Sequence, residues 1–140
     1  MKIAVDAELL AREIDELAGF SDAEPPAVTR VVFSEQDLRA RAWLKARCAD
    51  AGLSIREDAV GNTFFRWEGA QPELPAVATG SHIDAIPHAG KYDGVVGVLG
   101  GLEAMRALER SGFKPQRSIE LIQFTSEEPT RFGVGCIGSR

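Results

Sequence analysis

Three short polar clusters hold the residue types that could do chemistry in this chain. They are Thr79-Gly80-Ser81-His82-Ile83-Asp84, Tyr92-Asp93-Gly94-Val95 and Thr125-Ser126-Glu127-Glu128-Pro129. In an extended segment side chains alternate, so His82 and Asp84 emerge on the same side. A histidine that ligates a metal usually donates its other ring N–H to a carboxylate, which fixes the tautomer, and His-x-Asp supplies both groups. Asp93 stands just before an apolar helical run, where it reads either as a helix N-cap or as a ligand. Glu127 and Glu128 follow an apolar run, and Pro129 bars a helix from continuing there. Paired carboxylates allow a division of labour, one binding a metal and the other accepting a proton from water. Their mutual repulsion raises the pKa of one of them, and a nearby cation opposes that. Imidazole with carboxylates is a donor set suited to Zn2+ or Mn2+.

The elements that must position these clusters follow from periodicity. Pro75 to Ile83 reads as a strand ending in polar residues, Val95 to Arg110 as a helix, and Ser118 to Thr125 as a nearly continuous apolar, hence central, strand. That order predicts a βαβ unit with a parallel pair, and α/β sheets place their sites at the carboxyl ends of such strands. Val95, Val98, Leu99, Leu102 and Met105 share one helix face. Gly97, Gly100 and Gly101 in the same helix cost about 1 kcal/mol each against alanine, so close packing on a sheet is expected. Upstream, Leu9, Leu10, Ile14 and Leu17 mark a helix over Asp6 to Leu17, ended by Pro25-Pro26. Ser34 and Asp37 form a weak capping box for a second helix to about Asp50, with Leu38, Ala42, Ala46 and Ala49 on one face. Ser54 to Val60 and Asn62 to Trp67 read as strands joined at Gly61-Asn62.

Composition narrows the class. With 44% hydrophobic residues, 26% charged residues and a formal charge of −5, the 140-residue chain reads as one folded α/β unit. The acidic balance argues against a nucleic-acid partner. Val95 to Leu102, the longest apolar stretch, is broken by glycine and falls far short of the ~20 residues a membrane span needs. The first residues, MKIAVDAELLAREIDELAG, scatter acids through apolar positions and do not read as a signal peptide. Cys48 and Cys136 read as free thiols of a cytoplasmic protein, with Cys136 expected to be buried. Trp43 and Trp67 read as packing residues, and Phe64 and Phe65 as straddling the two faces of a strand.

The strings TGSHIDAIPHAGKYDGVVGVLGGLEAMRAL and FTSEEPTRFGVGCIGSR resemble the di-metal amidohydrolase family of N-carbamoyl-L-amino acid hydrolases, allantoate amidohydrolases and ureidoglycolate amidohydrolases, within the aminoacylase and carboxypeptidase superfamily. SHIDAIP, GKYDGVVGVLG and FTSEEPTRFG are most similar to the ureidoglycolate type. The likeness covers roughly Phe33 to Arg140. It implies the N-terminal part of a mixed-sheet α/β/α metallohydrolase catalytic domain over residues 1–140, truncated, with the lid and dimerisation domain and the C-terminal catalytic part absent. It implies that His82 is a metal ligand, Asp84 the residue that orients it, and Asp93 the carboxylate bridging two divalent ions, Zn2+ or Mn2+. By the same resemblance Glu128 is a ligand of the second ion, and Glu127 is the general base for a metal-activated water attacking a linear amide or ureido C–N bond. The implied partner is a small ureido or carbamoyl substrate, and the intact enzyme is implied to be a homodimer in the cytoplasm.

The family pattern also requires further histidine ligands and a substrate-binding arginine, while this chain has only His82 and His88, and His88 matches no ligand position. The chain alone is therefore expected to be inactive. The competing reading is a truncated, non-catalytic homologue or a half-site scaffold that binds a partner chain. Gly133, Gly135 and Gly138 spell G-x-G-x-x-G, but not between a strand and a helix, so a dinucleotide site is not expected.

Overall fold

The computed structural model describes residues 3–140. The chain runs α1 (Ala7–Ala18), β1 (Val28–Arg30), α2 (Glu35–Asp50), β2 (Ser54–Glu57), β3 (Thr63–Trp67), β4 (Val77–Ser81), β5 (Ala85–Ala89), α3 (Val95–Arg110), β6 (Ile119–Gln123) and a 3-10 turn at Ile137–Ser139. β4, α3 and β6 form the expected βαβ unit, with β4 and β6 parallel from Val77↔Ile119 to Ser81↔Gln123. β6 is interior: β3 pairs with it antiparallel, and the order β2-β3-β6-β4 makes a mixed sheet. Val95, Val98, Leu99, Leu102 and Met105 are buried, and α1, α2 and α3 share one core with Phe65 and Leu121. Missing side chains let α3 press onto the sheet. A Cβ at Gly97 would lie 2.5 Å from Ser81 Cβ, and one at Gly101 would lie 2.8 Å from Leu121 Cδ1. Gly100 faces open space, so packing does not explain it. No helix among the described residues is long and apolar enough to cross a membrane.

Two expectations are corrected. The strand expected over Pro75 to Ile83 stops at Ser81, bends through His82, Ile83 and Asp84, and restarts as β5, which pairs antiparallel with β1 in a separate two-stranded sheet. β1 has three residues, too few for a period to show, and His88 interrupts β5 with a φ of 57°. His82 and Asp84 therefore meet through a bend rather than through strand alternation.

The second correction concerns α2. Its helix is where the sequence puts it, and Ser34 caps it by accepting from Asp37 N, but the face turned inward is Asp37, Ala40, Arg41, Leu44 and Cys48. Leu38 is 54% exposed, and Ala42, Ala46 and Ala49 face solvent with it. The buried face contains an ion pair, Arg41 Nε to Asp37 Oδ2 at 2.8 Å, which an apolar template rejects. Asp37 Oδ2 also accepts from Phe33 N, and Arg41 Nη1 donates to the Gly61 carbonyl. The pair is thus hydrogen-bonded on both sides, the condition for burying charge at tolerable cost.

Candidate metal centre

The parallel pairing of β4 and β6 brings their carboxyl ends side by side, and Phe124 N extends the ladder by donating to Ser81 O. Ser126, buried with a φ of 53°, then turns the chain sharply. The turn aims the next two amides at one carboxylate: Glu127 N donates to Asp84 Oδ1 at 3.3 Å and Glu128 N to Oδ2 at 3.0 Å. Asp84 is 2% exposed. Its own carbonyl lies 2.9 Å from His82 Nδ1, and its carboxylate 3.5 Å away. A carbonyl only accepts, so Nδ1 carries the proton and Nε2 keeps its lone pair. Asp84 thus does more than orient the histidine: it also locks the Glu127-Glu128 backbone.

The N-terminus of α3 closes the other side. A Cβ on Gly94, which has a φ of 66°, would fall 2.5 Å from His82 Cε1 and Nε2, so only glycine allows the helix to approach the ring this closely. Gly94 is itself the N-cap, with no side-chain capping bond, so Asp93 does not serve as the cap. His82, Asp93 and Glu128 each present a ligand atom, and these atoms all lie within 4.8 Å of one another. Glu127 sits beside them without belonging to that group. Its Oε2 is 3.5 Å from His82 Nε2, and its Oε1 accepts from Cys136 Sγ at 3.5 Å. His88 lies outside the group, exposed, with its amide on Thr29 Oγ1.

The electrostatics suit a cation. Burial, then the charges of Glu127, Asp93 and Asp84, hold the Glu128 carboxyl above the usual carboxylate range against the opposing pull of His82. Burial alone would lower His82, but its hydrogen bonds to Asp84 and the charge of Glu127 leave it raised. A buried imidazole lone pair aimed into several carboxylates is a donor set that a divalent ion would satisfy.

Sequence reasoning missed the supports. Asn62, 4% exposed, accepts from Thr125 N at 2.8 Å and donates to Gly138 O and Asp58 Oδ2. Its position after Gly61, with a φ of 89°, signals a turn and nothing more. Cys136, expected to be buried, is exposed. The amides of Cys136, Ile137 and Gly138 fold back onto the carbonyls of Glu127, Ser126 and Thr125, and the left-handed backbone at Cys136 turns its thiol outward. Cys48 is buried, and burial pushes its thiol up to about 12.

Comparison with known proteins gives this arrangement a context. The model of peptidase family M28 matches residues 62–140. The chain is 64% identical over 138 residues to ureidoglycolate hydrolase of Arabidopsis thaliana, covering 99% of this chain and 29% of that protein. It is 44% identical over 134 residues to N-carbamoyl-L-amino-acid amidohydrolase of Paenarthrobacter aurescens, covering 96% and 32%. Among solved structures, AtUAH in complex with (S)-hydroxyglycine superposes with a TM-score of 0.97 at 63% identity, covering 99% of this chain and 33% of that one. A hydantoinase/carbamoylase family amidase from Burkholderia ambifaria superposes with a TM-score of 0.94 at 36% identity, covering 98% and 34%. The chain spans about a third of the length of these relatives.

Proposed function

Because the chain belongs to peptidase family M28, we propose that it forms part of a metal-dependent hydrolase of linear C–N bonds in ureido, carbamoyl or amide compounds. The observation that carries this reading is the convergence of His82, Asp93 and Glu128 beside Glu127. The 64% identity to a ureidoglycolate hydrolase favours a small ureido substrate.

His82 would hold metal through Nε2, while Asp84 holds its ring. Asp93, free of the capping role, would hold metal with its carboxylate. Glu128 supplies a further carboxylate from a backbone fixed by Asp84. A bound Zn2+ or Mn2+ would supply Lewis acidity toward the scissile carbonyl and make water a better nucleophile near neutral pH. Glu127, half-exposed at the edge of the group, takes the proton from the attacking water and passes it to the departing nitrogen. We read residues 1–140 as the first part of a catalytic domain whose remaining ligands and substrate arginine lie on further chain, in a cytoplasmic homodimer.

The test is ammonia release from ureidoglycolate, allantoate and N-carbamoyl amino acids by the protein as its source cells make it. Glu127→Gln should keep the metal and lose turnover by about 100-fold or more. A variant that binds metal and still turns over would remove Glu127 from the role of base.

A further inference from the structure

Arg30 is one of the largest fully buried side chains, 1% exposed at the end of β1. Its Nε donates to Ile83 O at 2.7 Å, and its Nη1 donates to Leu17 O at 2.9 Å and Phe20 O at 2.8 Å. Among the described residues no carboxylate lies within ion-pair distance of it, so the guanidinium is a buried charge answered by carbonyls. Burial lowers its pKa to about 10, and the charges of Asp37 and Asp84 oppose the fall, so it stays cationic at neutral pH. An uncompensated buried charge costs several kcal/mol, and an apolar side chain could fill the same volume. What an apolar side chain could not do is satisfy three carbonyls from two separate segments.

Leu17 lies in the last turn of α1 and Phe20 just past its C-cap, Gly19, so Arg30 ties down the chain where it leaves that helix. Ile83 is the residue between His82 and Asp84, in the bend between β4 and β5. Fixing its carbonyl sets the rotation of the adjoining peptides. That rotation aims Asp84 O at His82 Nδ1 and the Asp84 carboxylate at the amides of Glu127 and Glu128. We propose that Arg30 is the positioning residue of the centre, holding the His82–Asp84 bend so that the imidazole stays in its Nδ1–H form with Nε2 directed at Asp93 and Glu128. The consequence for metal affinity rests on the reading of those residues as ligands; the consequence for the ring does not.

The chain has only two histidines, so 15N-histidine NMR separates His82 from His88 directly. At about pH 9, well above the ordinary imidazole range, wild type should show His82 as Nδ1–H. Arg30→Met and Arg30→Lys should shift His82 toward the Nε2–H form, leave His88 unchanged and lower Zn2+ affinity by about 10- to 100-fold. Unchanged tautomer and affinity in both folded variants would overturn the proposal. Should neither variant fold, the wild-type Arg30 Nε proton decides: slow exchange with solvent supports the proposal, and exchange as fast as that of exposed arginines overturns it. A wild-type chain that keeps the Nδ1–H ring but takes up no Zn2+ would sink the metal reading and leave the positioning role standing.

Discussion

The two strand exits that make the centre are built in opposite ways. After β4, His82, Ile83 and Asp84 are all buried, and the imidazole is clamped between Gly94 and the Asp84 carbonyl. After β6, burial ends at Ser126, and Glu127 and Glu128 are half-exposed. There the path is set by main-chain bonds to residues 136–138, by Asn62, and by the two amide bonds to Asp84. The first exit is enclosed by packing against Gly94 and by buried hydrogen bonds from Arg30 and His82, whereas the second is held by hydrogen bonds whose far end, at the two glutamates, is open to solvent. The difference suits the roles proposed for them. A ligand ring gains from rigidity, whereas a carboxylate that accepts and returns a proton needs room to turn.

The hardest break of this contrast is Gly94→Ala. The new methyl would meet His82 at 2.5 Å, at a backbone φ of 66° that L-residues disfavour. Overpacking and strain together should cost about 3 kcal/mol in chemical unfolding and lower Zn2+ affinity by about 100-fold. Unchanged affinity would mean that the ring is not clamped as described.

Asn62→Ala tests the other exit with a smaller effect. It leaves the buried Thr125 N–H unpartnered and frees Gly138 O, costing about 2 kcal/mol of stability. Because Asp84 still holds both glutamate amides, Zn2+ affinity should stay within about threefold of wild type, well below the roughly 10- to 100-fold that losing a ligand's own hydrogen-bond partner costs. If affinity collapses along with stability, the two exits are one unit and the comparison fails.

The same division governs what the sequence could tell. The βαβ unit was legible because α3 is amphipathic and β6 carries Ile119, Leu121 and Ile122, and the chemistry-bearing residues stood out as polar clusters at strand ends. His82, Asp93 and Glu128, separated by up to 46 positions, do converge. The supports were not legible because they are polar residues acting on backbone. Arg30, Asp37, Arg41 and Asn62 look like ordinary surface types, and only the carbonyls and amides they meet reveal them as interior. The inward face of α2 was misread for the same reason: hydrophobic periodicity cannot register a buried ion pair. The bend at His82–Asp84 was hidden because it depends on Arg30, 53 residues away.

The subtlest expected effect is one of sign, at the looser exit. Glu128 holds its proton to higher pH in the folded chain than in the unfolded one, first through burial and then through the charge of Glu127. The folded state therefore binds more protons in that window, and stability falls as pH rises through it. The contribution is fully present below the unfolded carboxylate value and lost as pH climbs past the folded one. Raised His82 acts in the same direction, so only a comparison of two proteins isolates Glu128. Glu128→Gln cannot ionise. Without metal it should match wild type in acid and unfold at a higher temperature than wild type at neutral pH, as read by calorimetry. Added Zn2+ should reverse the neutral-pH order, because wild type then has a cation to answer its carboxylates and the variant has lost a ligand. A metal-free variant less stable than wild type at neutral pH would show that the half-exposed exit lets solvent screen its carboxylates. The crowding of charge would then not be what draws a cation to this end of the sheet.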